Sequence, residues 1–73
     1  MAAEALLEHL SRGVPDPIWV QYVQALRLAG YSVERERGTA REGWLIASPG
    51  GGRRYTVARR GDGFWQAMPI ALT

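Results

Sequence analysis

The hydrophobic period of this chain changes once, at Gly30, and that change orders its secondary structure. Before Gly30, apolar residues recur at helical spacing; after it they alternate. Such a chain is predicted to be α+β, with two helices first and an antiparallel meander of three or four strands after them.

The helical half divides at Val14-Pro15-Asp16-Pro17. Ala2 to Arg12 is predicted as a short helix. Leu6, Leu7 and Leu10 make one apolar stripe, Glu4 and Glu8 lie toward the positive end of the helix dipole, and Glu8 can pair with Arg12 one turn on. Gly13 suits the helix-ending position, where φ is positive. A helix this short is marginal alone and must dock. Asp16 is expected as the N-cap of a second helix that runs from Pro17 to Ala29 and stops at Gly30. Ile18, Trp19, Tyr22, Val23, Ala25, Leu26 and Ala29 form its apolar arc. Val20 and Leu28 fall among the polar positions, so the first helix or a second subunit must cover them.

Tyr31 to Arg37 alternates as a first strand, with Tyr31 and Val33 on one face and Glu34 and Glu36 on the other. Residues Gly38 to Gly43 form a turn, and Trp44 to Ser48 a second strand. Pro49 and Gly50 to Gly52 make a flexible hairpin loop. Arg53 to Arg60 is a third strand, with Tyr55 and Val57 on one face. After the tight turn Gly61-Asp62-Gly63, Phe64 to Ile70 is a fourth strand, and Pro69 places it at an edge. The helices can cover one sheet face only. The other meets water or a partner.

With 73 residues the chain has room for a single small domain, spanning residues 1–73, and its margin of stability is thin. It has no Cys, so neither disulfides nor a thiolate zinc site can supply what is missing, and self-association is the simplest remaining source. No apolar run approaches the ~20 residues of a membrane span, and no basic, apolar leader opens the chain, so a cytoplasmic location without membrane contact is expected. All the basic residues are Arg and there is no Asn, which points to a GC-rich prokaryotic genome. Lack of Asn and Cys leans toward a hot habitat; lack of Lys leans away.

Signals for an enzyme are poor. His9 is the only His and reads as solvent-facing. Ser11, Ser32 and Ser48 have no neighbouring base and no elbow motif. Glu34 and Glu36 share a strand face, a spacing open to a hard cation but more often that of the wet face of an edge strand, alternating here with Arg35 and Arg37. Gly50 to Gly52 precede a strand and end in Arg53-Arg54, unlike a phosphate loop. No catalytic residue, cofactor, metal or small-molecule substrate is expected.

The Arg pairs carry more. Arg53-Arg54 and Arg59-Arg60 bracket the third strand, and the whole stretch 50–61 has no acid. On an alternating strand Arg54 and Arg60 share a face, about 20 Å apart, a span of a few backbone phosphates. Trp65 is expected to be partly exposed, because Phe64, Met68 and Ile70 claim the inner face, and to offer a stacking surface for a base. Against this, Arg at strand ends also guards edges, and cross-strand pairing with Glu34 and Glu36 can consume it. Trp19 and Trp44 read as core.

The segment from Ala25 to Thr39 resembles part of the HicA family of small toxin RNases, in which a helix ends in Gly plus an aromatic residue and a strand runs to an Arg-x-basic-Gly-Ser-His turn. Leu26, Gly30, Tyr31, Val33, Arg35, Arg37 and Gly38 fit that pattern, with Thr39 in place of Ser, and Tyr55-Thr56-Val57 resembles the family's third strand. The departures are substantial. The family's catalytic His falls at Ala40, its closing helix is replaced by Phe64 to Thr73, and an extra helix precedes the match. The resemblance implies a core like that of double-stranded-RNA-binding domains, without nuclease activity.

Two functions are compatible with these residues. The first is a non-catalytic nucleic-acid-binding or regulatory module that uses Arg53, Arg54, Arg59 and Arg60 on phosphates of RNA or DNA, with Trp65 as stacking platform. The second is a protein-interaction module, a homodimer or adaptor, whose apolar contact comprises Val20, Leu28, Leu45 and Trp65.

Overall fold

The computed structural model of the protein describes residues 2–38 and 42–71. Helices α1 (Ala3–Arg12) and α2 (Asp16–Leu28) precede strands β1 (Ser32–Arg35), β2 (Gly43–Ala47), β3 (Arg54–Arg59) and β4 (Trp65–Pro69). The strands form one antiparallel sheet in chain order, with both helices on a single face, the α+β arrangement the change of period predicts. Thr39, Ala40 and Arg41, placed in the first turn by the sequence, lie outside the described residues. Among the described residues no helix is long and apolar enough to cross a membrane.

α1 buries Leu6, Leu7 and Leu10, and Arg12 pairs with Glu8 at 2.9 Å on its exposed side. It ends at Gly13, whose φ of 105° an L side chain rarely adopts, and a Cβ there would strike the guanidinium of Arg60. Val14 then exchanges both backbone hydrogen bonds with Trp65, at 2.9 and 2.8 Å, and so ties the inter-helix connector to β4.

α2 starts one residue earlier than expected, and Asp16 does not cap it. Pro15 holds the cap position and Asp16 is the first helical residue. Its carboxylate faces the sheet, where it accepts a hydrogen bond from the Trp65 indole and lies 3.8 Å from Arg59. At the far end Gly30 N–H returns to Arg27 O and Tyr31 N–H to Leu26 O, a Schellman closure that turns the chain from helix into strand. Trp19, Val23 and Leu26 are buried, whereas Val20 and Leu28 stand 60% and 90% exposed. α1 does not cover them.

The centre of the molecule is formed by Leu10, Leu26, Val33, Ile46 and Val57, all essentially inaccessible. Trp19 lies beside them, edge-on to Trp44 at 5.5 Å and tilted against Trp65 at 6.1 Å. The loop between β2 and β3 is a 3₁₀ turn over Pro49–Gly51, closed by Ser48, which bonds Arg53 through both its N–H and its Oγ.

The expected phase of β4 is reversed. Trp65 is 5% exposed and belongs to the core, while Met68 is 64% exposed on the other face and Phe64 is also exposed. The cause is the β3–β4 register. Arg60 N–H bonds Phe64 O across the Gly61-Asp62-Gly63 turn, so Arg59 pairs with Trp65, Val57 with Ala67 and Tyr55 with Pro69. Directly paired residues share a face, and Val57 faces the helices; Trp65 and Ala67 therefore face them too.

Candidate functional site

The four arginines expected to contact phosphates are dispersed. Arg53 and Arg54 are exposed beside the 3₁₀ turn. Arg59, on the helix-covered face at the other end of β3, stacks over Trp65 at 5.9 Å and lies 3.5 Å from Glu42 and 3.8 Å from Asp16. Arg60 lies just beyond the strand and turns toward α1. It donates to Arg12 O at 3.0 Å, closing the carbonyl end of that helix, and forks onto Asp62. Arg54 and Arg60 thus share no surface. The acids that engage Arg59 and Arg60 are Asp16, Glu42 and Asp62, rather than Glu34 and Glu36.

The Arg60–Asp62 pair shapes the β3–β4 turn. The Arg60 guanidinium, and after it the Phe64 N–H, hold the Asp62 carboxyl below the usual carboxylate range. The same bond raises Arg60 from its ordinary value.

The expected apolar contact is dispersed as well. Val20 is exposed in the first half of α2 and Leu28 at its last residue, Leu45 lies on the uncovered sheet face, and Trp65 is buried between the layers. No single flat surface contains the set. The uncovered face is built by the register. Glu34, Leu45, Thr56 and Met68 form one row across it; Gly43, Ala58 and Gln66 form the next; Ser32, Ala47 and Arg54 lie on the other side. Its centre is small and uncharged; Glu34, Arg54 and the Glu36 carboxylate, which leans over Gly43, carry its charge. None of the chain's Trp or Tyr side chains lies on it.

Each sheet edge is guarded at particular positions. Glu36 N–H bonds Gly43 O, and the antiparallel alternation then turns the Val33 peptide groups outward from β1. Arg27 covers that carbonyl, donating through Nη2 at 2.6 Å and Nε at 3.2 Å. On β4, the outward groups of Trp65 are taken by Val14, and Pro69 has no N–H to offer. Gln66 adds a bond from its side chain to Ser11 O at 2.8 Å. The role of Arg27 was not legible from the sequence, where it reads as one of the polar positions of α2.

His9 spans the two helices, with Nδ1 3.1 Å from the Tyr22 hydroxyl. Among the described residues no group of three metal-ligating side chains converges. Comparison of the chain with protein-family models, with curated proteins and with solved structures finds no match.

Proposed function

We propose that the protein is a small non-catalytic interaction module that docks a second copy of itself through the open face of its sheet. The observation that carries this reading is the state of the sheet's boundaries. The helices cover one face, Arg27 guards the β1 edge, Val14 and Pro69 guard the β4 edge, and the remaining face is uncharged at its centre. An uncovered face of Leu45, Ala47, Thr56, Ala58 and Met68 gains by leaving water, and its small side chains let another sheet approach closely.

Size agrees with this. The molecule is a slab of 31 × 29 × 18 Å, one helix layer on one sheet layer. Its broad face matches the scale of a standard protein interface, about 800 Å² per partner. Pairing face to face adds burial to a chain of this length.

The nucleic-acid reading draws less support from the same geometry. Its stacking residue Trp65 is buried, Arg59 and Arg60 already hold acids and a helix end, and only Arg53 and Arg54 of its four cations are unpaired among the described residues.

Sedimentation equilibrium from micromolar to millimolar protein tests the proposal, with Leu45→Asp as the variant. Self-association of the wild type, lost in Leu45→Asp with an unchanged circular dichroism spectrum, is the expected result. A monomer throughout the range overturns it. So does salt-sensitive binding of short RNA or DNA, lost in an Arg53→Ala/Arg54→Ala variant, by a protein that does not self-associate.

A further inference from the structure

The end of the covered sheet face that α2 does not reach holds a cleft of about 630 Å³. That volume is typical of small-molecule sites, which run from about 300 to 1,000 Å³. The cleft lies on the helix side of the sheet, away from the face proposed for docking, so a ligand in it neither requires nor blocks self-association. Its walls come from the first turns of α2 and from the ends of all four strands. Three indoles, Trp19, Trp44 and Trp65, line it, and Pro17 and Val20 add apolar surface.

Two guanidiniums lie over the outer indoles: Arg35 over Trp44 at 5.3 Å and Arg59 over Trp65 at 5.9 Å. They differ in what else they meet. Arg59 has Glu42 at 3.5 Å and Asp16 at 3.8 Å, and Asp16 also accepts the Trp65 N–H. Those two carboxylates are therefore engaged within the protein. Glu36 leans over Gly43, its Oε2 2.7 Å from where a Cβ of that glycine would stand. Arg35, by contrast, has no carboxylate partner among the described residues. The Nε1–H of Trp19, a residue 2% exposed, is buried with no acceptor.

The Arg35 guanidinium is thus a full positive charge stacked on an aromatic face with no carboxylate partner, and Glu36, the cleft's one carboxylate without a cation among the described residues, lies over Gly43 on the opposite sheet face. An unpaired guanidinium calls for an acceptor carrying negative charge, and the indoles call for a flat apolar body behind it. We propose that this cleft binds a small planar organic anion, an aromatic carboxylate, with its carboxylate on the Arg35 guanidinium and its ring against Trp44. A carboxylate matches the planar fork of Arg in two parallel hydrogen bonds, and an aromatic ring stacks on indole with little loss of freedom.

The test uses ¹H–¹⁵N spectra, in which the three indole N–H groups give separate signals. The probes are 2-naphthoate, its neutral counterpart 2-naphthamide, and inorganic phosphate. The expected result is a saturable shift of the Trp44 signal with naphthoate, a weaker response to the amide and none to phosphate. Arg35→Gln should weaken naphthoate binding about tenfold, the loss of one charge-assisted contact. Val20→Glu provides a second variant at an exposed position. It sets a negative charge at the rim, and is expected to weaken naphthoate binding with the melting temperature unchanged. Leu45→Asp, on the opposite face, should leave binding intact. Equal affinity for acid and amide overturns the proposal, as does an equal response to phosphate, naphthoate binding unaffected by both Arg35→Gln and Val20→Glu, or no indole shift at millimolar naphthoate.

Discussion

Asp16 and Trp65, 49 positions apart, are joined by a hydrogen bond from the indole N–H to the carboxylate. The bond fixes the first turn of α2 to the first residue of β4, and it explains why Asp16 leaves the capping role its sequence context suggests. Asp16→Ala leaves the buried indole N–H without an acceptor and removes one of the two acids beside Arg59. A loss of about 1–3 kcal/mol is expected in urea unfolding. Asp16→Asn retains an acceptor and should cost clearly less; equal losses for the two variants would assign the effect to charge alone.

The register of β4 makes opposite predictions for neighbouring apolar residues. Trp65→Ala empties the space between the layers and should cost about 3–5 kcal/mol, enough to unfold most of a domain this small. Met68→Ala, on the open face, should change monomer stability by no more than about 0.5 kcal/mol. Denaturation of both variants at low protein concentration checks the pair.

Arg27 holds the outward carbonyl of Val33. Arg27→Ala exposes that carbonyl at the β1 edge. A loss of about 1 kcal/mol is expected, with a rise in light scattering on warming as bare edges pair between molecules. Arg27→Lys, a cation without the fork, should fall between wild type and Ala.

Asp62 predicts a pH dependence of fixed sign. Its carboxyl is held low by Arg60 and then by the Phe64 N–H, so ionised Asp62 favours the folded state. That contribution is complete above the ordinary carboxyl pKa of about 3.9 and disappears as pH falls through the lower folded value. Asp62→Asn should melt below wild type at neutral pH, and the two curves should converge in acid. Thermal melts between neutral pH and strong acid decide it; a gap that persists undiminished in acid would remove the ionised carboxylate from the explanation.

The order of elements was legible because each rests on local chemistry: the stripe of Leu6, Leu7 and Leu10, the stops at Gly13 and Gly30, the alternation around Val33 and Val57, and Pro69 at an edge. The phase of β4 was misread because both parities of Phe64 to Ile70 carry large apolar residues, so hydrophobicity cannot choose between them. The turn could have chosen. A turn centred on Asp62 pairs Arg60 with Phe64 and hence Val57 with Ala67, which sends Trp65 inward. The dispersal of the arginines was not legible, because Asp16, Glu42 and Arg12 reach Arg59 and Arg60 only once the chain has folded back on itself. The cleft was hidden for the same reason: its walls come from α2 and every strand, and no stretch of sequence contains it.

The bridge between Val14 and Trp65 has a consequence for the newborn chain. Everything that anchors the connector after α1, and the acid at the start of α2, is made nearly 50 residues later. At about 10 residues per second a ribosome takes roughly 5 s to cover that distance. During that interval both helical segments are too short to persist alone, and Leu10 lacks the strand that α1 packs against. Leu26, Val33, Ile46 and Val57 can come together before β4 is made, whereas α1 and the connector find their anchor only when β4 leaves the exit tunnel.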